Sequence, residues 1–291
     1  MNVHTPSILI TIDLEDWFQV ENLKPSISHS EWHAKEYRLE RNTQRLLDLF
    51  DRFHVNATFF VLGWNAERAP GLVREIHMRG HEIASHGHNH RLSQEQTFAE
   101  LRRDFFQSKA ILEEIIAQPV LGYRAPSFSV SGPLLTLLKE ADFLYDSSYN
   151  SFSLNVRHGS LDLPAIHRNK AAFQLSSSLW ELPVSNLFLG KWALPWGGGA
   201  YFRLIPWFLF KRGIKNIATH KEAYVFYFHP WEIDAKQPKI EALPLFNKFR
   251  HYYGLKHCYR KLNSLLETFS TFRFLTCSQY LFELMNSRNL D

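Results

Sequence analysis

The densest chemistry in the chain lies in His86-Gly87-His88-Asn89-His90, directly after the apolar stretch Glu82-Ile83-Ala84-Ser85. Imidazole is the commonest protein ligand for divalent metals. His86 and His90 stand four residues apart at the end of a predicted strand, and Gly87 permits the sharp turn that would bring their rings together. His88 is expected to point elsewhere, to solvent or behind the ligands. A second group, Asp13, Glu15 and Asp16, follows the apolar run Ile8–Ile12. Read alone, acids after a strand are often turn formers or helix caps. Beside a histidine pair, one carboxylate completes a two-His, one-acid metal site and another can take a proton from water. A third group is the apolar strand Tyr224–Phe228 ending in His229, whose protonated ring could serve as a general acid. Arg124, after Val120–Tyr123, is a permanent cation that can fork onto a carboxylate or brace a loop.

Other chemistries lack their motifs. Ser85 and Ser127 have no GxSxG context, and the chain has no P-loop and no GxGxxG. Trp17 and Trp231 read either as core or as walls that stack on a sugar.

These groups need strands to carry them. Strands are expected at Ile8–Asp13, Ala57–Leu62, Glu82–Ser85, Val120–Arg124, Leu144–Asp146, Leu179–Val184, Tyr224–His229 and Phe272–Leu275. Helices are expected at Arg38–Phe53, Pro70–Arg79, from a Ser93 cap boxed by Gln96 to Ile116, and at Pro133–Ala141, Ile205–Lys211, Lys256–Thr268 and Ser278–Met285. This alternation predicts an α/β fold with a parallel sheet closed toward a barrel, and barrels carry their sites on the carboxyl rim of the strands. Residues 1–291 read as one domain, with an irregular insertion near 147–200 and a C-terminal helical extension near 241–291. Within the insertion, Trp192–Ala200 reads as a flexible loop over a cleft.

With 291 residues, 45% of them hydrophobic, the chain can bury a large core. Its net charge of +4 comes from Lys and Arg scattered along the chain, which argues against a nucleic-acid partner. Cys258 and Cys277 form no CxxC motif and are expected to be buried and reduced. No run is long and apolar enough for a signal peptide or a membrane span, so a cytoplasmic or membrane-peripheral protein is expected.

Taken jointly, these motifs resemble the polysaccharide deacetylases with a NodB homology domain, carbohydrate esterase family four. Thr11–Trp17 matches the family's first motif, His86 and His90 its ligand histidines, Arg124 and Pro126 its Arg-Pro motif, and His229 its acid histidine. Stretches such as Asp13–Val20, Gly122–Ser129, Gly197–Leu204 and Phe226–Asp234 are similar to the exosortase-linked exopolysaccharide deacetylases. The resemblance implies a distorted (β/α) barrel of the NodB-like type. It implies a divalent metal, Zn²⁺, on Asp16, His86 and His90, with Glu15 as the alternative carboxylate. Asp13 would be the base, Arg124 its positioning partner and His229 the acid, with a backbone N–H after Arg124 helping to hold the oxyanion. The implied substrate is an N-acetylated glycan or lipid-linked oligosaccharide, and the product acetate. This sequence departs from the family pattern in separating Asp13 from Asp16 by two residues and in placing Gly87 where Ser or Thr is usual. The rival readings are an allantoinase-like amidohydrolase on a small amide and a non-catalytic glycan-binding module.

Overall fold

The computed structural model describes residues 5–152, 171–190 and 192–288. Its strands are β1 (Ser7–Leu14), β2 (Thr58–Val61), β3 (Glu82–Ser85), β4 (Gly122–Tyr123), β5 (Tyr145–Asp146), β6 (Phe173–Gln174), β7 (Trp180–Glu181), β8 (Asn186–Leu189), β9 (Trp192–Pro195), β10 (Ala223–Phe228) and β11 (Arg273–Phe274). Helices α1 (Leu39–Phe53), α2 (Gly63–Arg68), α3 (Pro70–Met78), α4 (Phe98–Ile116), α5 (Gly132–Glu140), α6 (Gly199–Leu204), α7 (Trp207–Lys221), α8 (Leu245–Tyr252), α9 (Leu255–Thr268) and α10 (Cys277–Arg288) connect or flank them.

One sheet runs in the order β10-β1-β2-β3-β4-β5-β7-β6, parallel except at its β6 end. The upper half of β1 pairs with β2 and its lower half with β11, while β10 runs along its other side. Beyond β7 the chain reaches the free side of β10, where Ser185 N–H donates to the Val225 carbonyl at 3.1 Å and Val225 N–H donates to Ser185 Oγ at 2.9 Å. The sheet therefore curls back on itself as a distorted α/β half-barrel.

Side-chain alternation along the strands sorts the core. Ile8, Ile10, Ile12 and Leu14 pack outward with Phe59, Val61 and the inner faces of α1 and α3. Leu9 faces inward with Phe60, Ala84, Val225 and Trp180. The strongly buried stripe of α1 holds Leu39, Leu46, Leu47, Leu49 and Phe50.

Several local expectations need correction. α4 is capped by Thr97 boxed with Glu100, and Ser93 instead heads a separate short turn. The helix expected at Ile205–Lys211 begins at Trp207 and runs on to Lys221, and Pro206, which has no N–H with which to continue α6, separates the two helices. Trp192–Ala200 is ordered rather than flexible: β9 pairs with β8, and Tyr227 N–H donates to the Gly197 carbonyl at 2.7 Å. A Cβ on Gly198 would meet the Tyr227 carbonyl oxygen at 2.0 Å, so this close approach needs glycine. The expected insertion near 147–200 falls partly on residues 153–170, outside the described residues. Cys258 and Cys277 are both buried and free. Among the described residues, no helix is long and apolar enough to cross a membrane.

Candidate active site

Strand parity places the reactive groups. Thr11 and Asp13 share the inward side of β1 with Leu9, and Glu15 carries that alternation one residue past the strand end. His86 follows inward Ala84 beyond β3, Arg124 follows β4, and His229 follows inward Val225 and Tyr227 beyond β10. Asp13, Glu15, His86, Arg124 and His229 reach the carboxyl rim.

There the Glu15 Oε1 atom lies 3.1 Å from His86 Nε2 and 3.0 Å from His90 Nε2. His86 Nδ1 lies 2.7 Å from the Arg124 carbonyl oxygen, which can only accept, so Nδ1 carries the proton and Nε2 offers its lone pair. Two imidazole nitrogens and a buried carboxylate oxygen thus face one another, all within 4.8 Å. Such a set of lone pairs needs a cation or a proton between its members, and it fits a divalent metal. Burial works to raise the Glu15 pKa, but the neighbouring imidazoles, His90 first, hold it well below the usual value.

Asp16 is not part of this group. It is fully buried, its Oδ1 accepting from Trp17 N–H at 2.7 Å and its Oδ2 from Arg38 and Leu39 N–H at 2.6 and 3.0 Å. Its carboxylate ties the turn after β1 to the start of α1. The physical reason is parity: Asp16 has the opposite direction from Asp13 and Glu15. The place beside His86 and His90 that the resemblance gives to Asp16 is held in the structure by Glu15.

The loop after β3 is shaped from α4. Asp104 accepts from His88 N–H at 2.7 Å and from Asn89 N–H at 2.9 Å. Gly87 has φ +73°, and a Cβ there would lie 2.8 Å from Asp104 Oδ2. Glycine at this position is what lets the carboxylate come close enough to turn the loop. His88 is buried beside Gly63, away from the other two imidazoles, not exposed to solvent.

On the opposite wall Arg124, fully buried, donates from Nη1 to Asp13 Oδ1 at 2.7 Å and to Thr11 Oγ1 at 2.8 Å. Its remaining N–H groups reach Ser147 O and Oγ, and its plane lies over Phe60. The first backbone N–H after Arg124 cannot serve an oxyanion, because Ala125 N–H donates to Ser148 Oγ at 2.8 Å and Pro126 has none. His229 Nε2 faces Asp13 Oδ2 at 3.8 Å. Its Nδ1–H donates to Glu232 Oε1 at 2.8 Å, and Glu232 Oε2 accepts from Arg203 Nε at 2.8 Å. Burial lowers the pKa of His229, but the hydrogen bond and charge of Glu232, with Glu15 and Asp13, outweigh it and raise it from 6.5 to about 9. The ring is thus held as an imidazolium at neutral pH.

Glu232 is the residue sequence reasoning missed. Its signal is the spacing of three in His229-Pro230-Trp231-Glu232, which forms one tight 3₁₀ turn. Glu232→Gln should move the basic limb of the activity profile to lower pH, because a neutral partner no longer favours the charged ring. A kcat–pH profile checks the shift, and an unmoved limb would show that Glu232 does not tune His229. Arg203 also donates to the carbonyls of Arg250, His251 and Tyr253, so it keeps partners in that variant.

Asp13, Glu15, His90, His229 and Trp231 open onto one cavity of about 110 Å³. Trp231 stacks between His229 and His251, with centroids 5.4 and 4.6 Å away. Trp17 lies in a buried cluster with Phe18, Trp32 and Trp64, so it is core and not a sugar wall.

Comparison with known proteins gives a family likeness for part of the chain. Residues 32–145 match the profile described as polysaccharide deacetylase, and residues 147–282 match a domain of unknown function, DUF3473. A peptidoglycan-N-acetylglucosamine deacetylase of Bacillus cereus is 31% identical over 101 residues, 35% of this chain and 47% of that protein. The chain thus spans less than half the length of that relative. In structure it is similar to a polysaccharide deacetylase candidate from Mycobacterium smegmatis, with a TM-score of 0.65 and 21% identity over 99% of this chain and 92% of the other. It is also similar to a CE4 family pseudoenzyme from Bacillus anthracis, with a TM-score of 0.51 and 10% identity over 96% and 66% of the two chains. These two likenesses speak to the fold alone. The segment that matches the polysaccharide deacetylase family, residues 32–145, contributes His86, His90 and Arg124 to a rim that β1 and β10 complete on a half-barrel of the NodB type.

Proposed function

We propose that this chain is a metal-dependent deacetylase that hydrolyses the N-acetyl group of an amino sugar in a glycan and releases acetate. The observation that carries the reading is the convergence of three metal-capable groups with a guanidinium-held carboxylate and a carboxylate-held imidazole around one cavity. Glu15, His86 and His90 would hold the cation, and two nitrogens with one oxygen suit Zn²⁺. Bound there, the cation supplies Lewis-acid polarisation of the amide carbonyl and an acidified water.

The chain's own residues handle the protons. Arg124 fixes Asp13 through Oδ1, leaving Oδ2 turned to the cleft as the acceptor for the proton of the attacking water. Glu232 fixes the His229 ring through Nδ1, so that Nε2 presents its proton to the departing amine nitrogen. The C–N bond breaks, and the products are acetate and a free amino group. Burial of the ion pair strengthens the hold of Arg124 on Asp13 Oδ1. Base, acid and ligands draw on residues 13 to 232 of one curled sheet, which supports treating 1–291 as one catalytic domain. Similarity to the exosortase-linked subgroup supports a bacterial exopolysaccharide or its lipid-linked precursor as the glycan.

The test is acetate release from N-acetylglucosamine oligomers, measured beside hydrolysis of small cyclic amides. Acetate should appear, fall to background after chelation and return with added Zn²⁺. Hydrolysis of the cyclic amides alone would move the assignment to an allantoinase-like reaction. Glycan binding without any acetate would mark a binding module.

A further inference from the structure

The surface beside the cleft carries a second feature that the reaction does not use. Helix α8, Leu245–Tyr252, buries only His251. Its apolar side chains face outward instead: Leu245 is 85% exposed, Phe246 71% and Phe249 52%, and Tyr253 just after it 46%. No other helix among the described residues exposes more than two large hydrophobic side chains. At 3.6 residues per turn, Leu245, Phe246 and Phe249 fall within roughly 100° of arc. Lys248 borders that arc on one side and Arg250 on the other, and α8 contains no acid. Single exposed hydrophobics are ordinary, whereas a helix that turns its apolar arc to water is not.

The surrounding charge says what kind of surface would cover it. Residues 236–260 hold Lys236, Lys239, Lys248, Arg250, Lys256 and Arg260 against one acid, Glu241. The whole chain nets only +4, so the rest of it is close to neutral. Glu241 neutralises Lys248 locally at 3.0 Å, but the other cations of the stretch outnumber it. An apolar arc bordered by cations suits the interface of a bilayer with anionic headgroups, where the ring and leucine side chains enter the acyl boundary and Lys and Arg stay at the phosphates. A second copy of this chain would bring the same excess of cations against it.

We propose that α8 docks this protein on an anionic phospholipid surface. Arg250 and His251 of the same helix line the catalytic cavity, so docking would set the cleft at the headgroup plane. This placement gives the proposed deacetylase access to a glycan still attached to a lipid, and in that purpose it rests on the reading above. The binding itself is measured without turnover.

The experiment is co-sedimentation of the full chain with phosphatidylglycerol/phosphatidylcholine vesicles and with pure phosphatidylcholine vesicles. Binding is expected on the anionic vesicles, weakening steeply with added salt. The triple variant Leu245→Ser/Phe246→Ser/Phe249→Ser should bind at least about tenfold more weakly, with unchanged far-ultraviolet circular dichroism and unchanged acetate release from soluble oligomers. Lys239→Glu with Lys256→Glu should weaken binding by roughly fivefold or more per residue. The proposal falls if the native chain stays in the supernatant with anionic vesicles, or if the triple variant sediments as the native chain does. It falls equally if the native chain is a dimer in solution that the triple variant makes monomeric, since a second copy would then cover the arc. Vesicle binding with no acetate release would strike the catalytic reading and leave this one standing.

Discussion

Glu15→Ala is expected to abolish both bound metal and acetate release, while Asp16→Ala keeps the metal and loses stability. The two acids are neighbours in sequence, yet their surroundings divide the roles. Glu15 faces His86 and His90 at 3.1 and 3.0 Å, whereas Asp16 accepts three backbone N–H groups. Removing one of three ligands should weaken metal binding by at least about 100-fold, more than the effect usual for an outer-shell partner. Removing Asp16 leaves buried N–H groups of Trp17, Arg38 and Leu39 without an acceptor, at a cost of about 2–4 kcal/mol. Metal analysis of the purified variants beside their thermal unfolding separates the outcomes. A folded Asp16→Ala protein that comes out metal-free, with Glu15→Ala still loaded, would reverse the ligand assignment.

Asp13→Asn should lower kcat by roughly 10²–10⁴-fold with metal content unchanged. Asparagine keeps an oxygen for Arg124 to bond, so the geometry survives while the proton acceptor is lost. Arg124 is fully buried and would face a neutral partner, but Thr11 Oγ1 and Ser147 still accept from it. Single-turnover acetate release on metal-loaded protein gives the readout. Activity within tenfold of the native chain would remove Asp13 from the proton path. The measurement also bears on a fold shared with a pseudoenzyme: a large drop from Asp13→Asn means there was catalysis to lose.

Much of the site was legible because a strand writes its two faces into every second residue. Apolar Ile8, Ile10 and Ile12 declare one face of β1, which puts Asp13 and Glu15 together on the other. The same count sends Asp16 outward, so its exclusion was readable from parity, and the resemblance to a motif with adjacent aspartates pulled against it. Arg124 and His229 were legible as strand-end groups. Asp104 was not, since a single acid on the long helix α4 carries no local mark of the loop it meets some fifteen residues upstream. Glu232 depended on a tight turn whose Pro-Trp interior hides the contact. The pair β8 and β9 and helix α8 escaped because their patterns do not match burial against one core: Leu189 and Trp192 stand exposed, as does most of the apolar side of α8. Hydrophobic periodicity locates an element only when its apolar side faces inward.

The position of β1 has a consequence for how the molecule is made. The first strand is paired along one side by β10 and, at Ser7 and Ile8, on the other by β11, both of which lie beyond residue 220. A nascent chain therefore emerges with this apolar segment waiting for partners that are made only after residue 220. The loop from β1 at Ser7 to β10 at Ala223 must close before that segment is sheltered, which makes assembly slow and leaves the intermediates adhesive. His229, the proposed proton donor, arrives with the same late strand, so a chain interrupted before residue 229 would carry Glu15, His86 and His90 but not the imidazole that faces Asp13 across the cleft.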